Sequence, residues 1–227
     1  NTHMSLGRFE EALQAAESGL AINRELKRRR EEAMGLGQIA SILMETHRYA
    51  EAERKYEEAM RAAQAAGDLE LQGTTLQHQG TLYRMQGQHE RAVERLKQAI
   101  SVFQAASDPG SEMRTCDLLA TAERERGELD SAEAWHGRSR ELAEKLRDRR
   151  QLAATAQNLG ILYLQRAEAS TETQEREAWL DKALKSVEES LAMTLEEHDQ
   201  LGAAASYSQL GILHLLRGDL ELAEENA

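Results

Sequence analysis

The chain has 227 residues, 41% apolar and 30% charged, with 40 acidic against 28 basic side chains and a formal net charge of −12. That field opposes a polyanion, so nucleic acid is not expected as a partner, and no run of 18 apolar residues offers a membrane span. One cysteine, Cys116, excludes an intramolecular disulfide framework and a cysteine-based zinc cluster, and fits a reducing, cytoplasmic setting. With 15 Gly, a single Pro and a surplus of Ala, Leu, Glu, Gln and Arg, the composition predicts an all-α protein.

In chain order, Asn1 to Met4 reads as a cloning remnant or as the tail of a helix, and an orphan helix is expected over 8–28. Helix pairs follow over 31–66, 69–106, 109–147 and 149–197, and a last pair starts at 200 and is cut off at 227. One array over 1–227, a fragment of a longer protein, is therefore expected. Self-similarity carries this layout. Gly7-Arg8-Phe9-Glu10-Glu11-Ala12 aligns with the segments ending in Ala52, Ala92 and Ala132, a period of 40, which Ala183 and Ala223 resume after a gap of 51. A second small-residue series, Ala40, Gly80, Ala120, Gly160 and Gly211, keeps step with it. A residue without bulk on each helix of a pair lets the two approach closely. Asp68, Asp108, Asp148 and Asp199 precede the apolar-periodic runs as N-caps, and Pro109 stands at a first helical position.

Gln79-Gly80-Thr81-Leu82-Tyr83 and Asn158-Leu159-Gly160-Ile161-Leu162-Tyr163, each with an Ala beyond, resemble the tetratricopeptide pattern of a Leu-Gly-x-x-Tyr helix followed by an Ala-bearing one. The 40-residue length is similar to the long repeats of kinesin light chains, Pins-type scaffolds and bacterial signalling proteins. This resemblance covers the whole chain. It implies an α-solenoid of antiparallel helix pairs forming a right-handed superhelix, with a concave groove for a peptide. His47 replaces the usual Gly, Gln79 the usual Leu, and no Pro closes the repeats. The extra eleven residues near 167–177 amount to about three helical turns and keep the buried faces in phase. Ser170 or Thr171 is the expected cap of the longer second helix.

No catalytic or metal-binding set is visible. The seven histidines show no i, i+4 pair, and no Gly-rich phosphate loop or nucleophile elbow occurs. No cofactor is implied. Cys116 and His214 fall at packing positions. Counting from each small residue, the groove should be lined by Gln38, His78, Leu118, Asn158 and Gln209, with Gln77, Asp117 and Gln157 beside them. Asn158 matches the type that contacts a peptide backbone in the resembling families. Arg84, Arg114 and Arg124 make the middle of the groove basic, and Ile161, Leu164, Ile212 and Leu215 make its C-terminal end apolar. That suits a protein or peptide partner with acidic residues beside a hydrophobic anchor. The alternatives are arginines paired with their own neighbours and an apolar end covered by a further repeat. The expected function is a non-catalytic scaffold or adaptor. Its rival is the sensor domain of a transcription regulator, signalling ATPase or protease. The sequence leaves the oligomeric state open.

Overall fold

The computed structural model describes residues 2–225, with side chains described from residue 8 to 223. Among the described residues every regular element is an α-helix: α1 (Thr2–Glu25), α2 (Arg29–Glu45), α3 (Tyr49–Ala66), α4 (Leu69–Met85), α5 (His89–Ala105), α6 (Pro109–Arg126), α7 (Leu129–Leu146), α8 (Arg149–Ala169), α9 (Thr173–Glu196), α10 (Gln200–Arg217) and α11 (Leu220–Glu225).

The punctuation is local chemistry. The carboxylates of Asp68, Asp108, Asp148 and Asp199 accept from the backbone N–H of Leu71, Ser111, Gln151 and Gly202, each at 3.0 Å, pairing a donor that the first helical turn leaves free. Apart from α8, which ends on the extended Ser170, the helices from α1 to α10 are each followed by a residue in the left-handed region. Gly67, Gly87, Gly127 and Gly218 adopt it without a Cβ penalty, whereas His47 holds φ 60° with its Nδ1 2.7 Å from the Tyr49 hydroxyl.

The chain divides into two compact units, residues 1–115 and 116–227. In the first, α2 packs on α3 and α4 on α5. Leu36, Ile39, Ala40 and Leu43 of α2 meet Ala52, Tyr56, Ala59 and Ala63 of α3 in one buried cluster. Gly80 is buried where α4 crosses α5, and a Cβ there would lie 2.6 Å from Leu96 Cγ. The Tyr83 hydroxyl donates to Glu53 Oε1 at 2.7 Å, and the Arg91 guanidinium sits 3.9 Å over the Tyr83 ring.

In the second unit α8 packs on α9 and α9 on α10. Leu180, Ala183, Leu184 and Val187 of α9 are buried against Leu210 and Leu213 of α10. Gly160 repeats the close crossing of Gly80, with a Cβ position 2.5 Å from Val187 Cγ2. The Tyr163 hydroxyl donates to Glu133 Oε1 at 2.9 Å, and burial followed by that carboxylate pushes its pKa up to about 12. The extra residues lengthen α8 to 21 and α9 to 24, against 17 each in α4 and α5. Trp179, in the added turns, stacks on Tyr163 with ring centroids 5.7 Å apart, and Arg166 lies 4.7 Å over the indole. Neither Ser170 nor Thr171 caps α9, correcting the expectation. The Ser170 hydroxyl donates backwards to the Arg166 carbonyl at 2.9 Å and closes α8, while Glu172 precedes α9 without a side-chain cap.

Candidate functional site

In each unit the first helix of a pair carries the residues expected to face a partner. In the first unit Gln38 is exposed, while Gln77 is half-buried and its Oε1 accepts from Thr115 Oγ1 at 3.4 Å. His78 is half-buried with its ring 5.8 Å from that of Tyr56, and burial pushes its pKa down, so the imidazole is neutral near pH 7. Arg84 is half-buried, and Arg114 is exposed with Nη2 donating to Ser111 Oγ at 2.9 Å. The first unit thus presents two guanidiniums, an imidazole and amides.

The second unit joins two of the expected residues, Asp117 and Asn158, to two that were not foreseen, His136 and Thr155. Asn158 Nδ2 of α8 donates to Asp117 Oδ2 of α6 at 2.8 Å. The other oxygen, Asp117 Oδ1, faces Nδ1 of His136 at 2.8 Å and Thr155 Oγ1 at 3.4 Å. His136 is fully buried, and its Nε2 has no hydrogen-bond partner among the described residues. Half of the Asn158 amide is therefore held by Asp117, which fixes its rotamer and leaves Oδ1 to accept. Arg124 Nη1 donates to Gln165 Oε1 at 3.4 Å, and Gln157 is half-buried. Gln209 of α10 is half-buried, with an Oε1 that no described residue donates to. His136 stands four residues after Ala132, where Tyr56, Leu96 and Val187 occupy the matching positions. An ionisable group at a core position was the available signal, and only the geometry shows its partner.

Beside these polar groups runs an apolar stripe. Ile161 and Leu164 of α8 are half-buried, and Ile212 and Leu215 of α10 are 50% and 58% exposed. Leu201, Ala204 and Ala205 continue it along the same face of α10, opposite the buried Ala203, Ser206, Leu210 and Leu213. Such a face can take aliphatic side chains from a partner while Asn158, Gln157 and Gln209 pair with its backbone. Among the described residues no group of three or more His, Cys, Asp or Glu is placed to hold a metal ion, and no helix is long and apolar enough to cross a membrane.

A family model described as tetratricopeptide repeat matches residues 31–105. No curated protein matches the sequence. Among solved structures, BtubC (BKLC) from P. vanneervenii aligns over 96% of this chain and 88% of its own, with a TM-score of 0.82 at 19% identity. A putative kinesin light chain from Podosopora anserina aligns over 85% of this chain and 90% of its own, with a TM-score of 0.65 at 17% identity. A Rap protein complexed with Competence and Sporulation Factor aligns over 95% of this chain and 60% of its own, with a TM-score of 0.65 at 15% identity. These likenesses establish a helical-repeat solenoid fold along nearly the whole chain.

Proposed function

We propose that the chain, of which residues 31–105 match a tetratricopeptide repeat model, belongs to that family and is a non-catalytic scaffold that holds a protein or peptide on the faces of its first helices. The observation that carries this reading is the stripe of Ile161, Leu164, Ile212 and Leu215 beside the Asn158, Gln157 and Gln209 amides. Aliphatic side chains of an extended partner lie along the stripe, and Asn158 Oδ1, oriented by Asp117, accepts from a partner backbone N–H. Arg124 in the second unit, and Arg84 and Arg114 in the first, answer acidic residues of the partner, which a chain of net charge −12 would otherwise repel. The setting consistent with this reading is the cytoplasm. A second reading is favoured by the likeness to the Rap protein found with a bound factor, of which this chain matches 60%. On that reading the array is the sensing part of a regulator.

The test is site-specific photocrosslinking in the native host, with the photoreactive residue at Leu215, or at the exposed Lys185 of α9 as control. A discrete crosslinked partner is expected from Leu215 and not from Lys185. Ile161→Asp combined with Leu215→Asp should weaken binding of the captured partner more than tenfold. Asn158→Ala should weaken it without altering salt dependence, whereas Arg124→Glu should weaken it and flatten the salt dependence. A partner captured from Lys185 and indifferent to these substitutions would refute the reading.

A further inference from the structure

Gln79 breaks the core pattern of its own repeat. Leu119, Leu159 and Leu210 occupy the matching positions one, two and three repeats on, and each is buried. Gln79 is buried as well, at 4% exposure, yet its amide makes no hydrogen bond to any described residue. Its amide atoms are not cut off from solvent, so water in the cleft answers them, and a ligand displacing that water must supply polar atoms in its place. The side chain lines a cleft of about 470 Å³ between α3 and α5, floored by α4. This is the face of the second helices, away from the residues assigned above to partner binding.

The cleft has the ingredients of a built site. Its floor is apolar, from Met60, Leu76 and Val102. Gln98 lies on one wall, with Oε1 held by Arg95 Nη1 at 3.0 Å. Arg61 on the opposite wall is exposed and pairs with no described residue. The volume falls within the roughly 300–1,000 Å³ typical of ligand sites.

We propose that this cleft is a second peptide site, one that takes a short segment carrying an aliphatic side chain next to an acidic one. The Gln79 amide offers both a donor and an acceptor and so pairs with one peptide unit of the ligand backbone. Met60, Leu76 and Val102 receive the aliphatic side chain. Arg61 takes the carboxylate through two parallel N–H donors, a geometry that an amide isostere does not reproduce. The site is independent of the first-helix faces, and either can fail without the other.

The experiment is a titration of the full chain, methyl-labelled at methionine and labelled at side-chain amides, with two blocked peptides: N-acetylated, C-amidated Leu-Gly-Glu, and the same peptide ending in Gln. The acidic peptide should shift the Met60 methyl and the Gln79 amide saturably, and the Gln peptide should bind at least tenfold more weakly. Gln79→Leu should reduce binding of the acidic peptide more than tenfold. Arg61→Gln should erase the difference between the two peptides, and, being an exposed substitution, it keeps the test valid if Gln79→Leu does not fold. Absence of a saturable shift at Met60 with millimolar peptide, equal binding of both peptides to the parent, or binding unchanged in the variants would overturn the proposal.

Discussion

Replacing Gly160 with alanine adds one methyl group where α8 packs closely on α9. Its carbon would stand 2.5 Å from Val187 Cγ2, about 1 Å inside the roughly 3.5–4.0 Å at which carbon atoms attract. Val187 cannot turn aside, because a β-branched side chain in a helix has essentially one χ1 rotamer. The Ala183 carbonyl oxygen, 3.5 Å away, bounds the same space. The two helices must separate, and overpacking of this kind costs about 1–3 kcal/mol. A contact of 2.5 Å against a locked side chain belongs in the upper part of that range, about 2–3 kcal/mol, and alanine's better helix propensity returns up to about 1 kcal/mol, leaving a net loss of roughly 1–2 kcal/mol. Gly160→Leu should reach or exceed the upper end of that range. Gly137, in the middle of α7, provides the opposite case. Nothing lies within 4 Å of its Cβ position, so Gly137→Ala should stabilise by about 0.5–1 kcal/mol. Both tryptophans, Trp135 and Trp179, lie in residues 116–227, so urea unfolding followed by tryptophan fluorescence reports on that unit. Val187→Ala in the same chain removes the offending methyl and should recover about 1 kcal/mol relative to additivity. A Gly160→Ala midpoint equal to the parent's, or a double variant equal to the sum of the singles, would refute the close-crossing argument.

Asp148→Ala should cost about 0.5–2 kcal/mol in the same assay, since it deprives the Gln151 N–H of its acceptor, and Asp148→Asn should cost markedly less. Tyr163 should ionise near pH 12 in a spectrophotometric titration, and Glu133→Gln should bring its pKa back towards 10, because a neutral amide no longer opposes the phenolate. Its folded pKa lies above the unfolded one, so its contribution to stability is complete below about pH 10 and is lost as pH rises towards 12. Stability that fell equally in parent and Glu133→Gln over that window would count against the Tyr163–Glu133 contact.

The fold was legible because its determinants are short-range and repeated. An Asp three residues before a free N–H caps a helix wherever it occurs, and a glycine or alanine every 40 residues marks a crossing whatever surrounds it. The Ser170 region was misread for the same reason. A serine between two helices can donate back to one or accept from the other, and here the Arg166 carbonyl takes the proton. The site was legible only as a set of positions. Asp117 and Asn158 occupy neighbouring places on successive first helices, but whether they face a partner or each other depends on the distance between those helices. At 2.8 Å they face each other. His136 was invisible as a partner of Asp117, because its helix lies in a different sequence register and its side chain enters through the core. Gln79 was visible as an exception to the Leu pattern. The cleft that makes the exception meaningful needed α3 and α5 in place.

The tyrosine–glutamate contact recurs at 53/83 and 133/163, eighty residues apart and so every second repeat. Gln77, Gly80 and Leu82 recur at the same interval as Gln157, Gly160 and Leu162, whereas the repeat between them has Asp117, Ala120 and Ala122. The intervening first helix carries Glu123 where the other two carry tyrosine. A glutamate and a tyrosine that hold each other across two helix pairs must change together, since a repeat keeping only the tyrosine would carry a phenol without its acceptor.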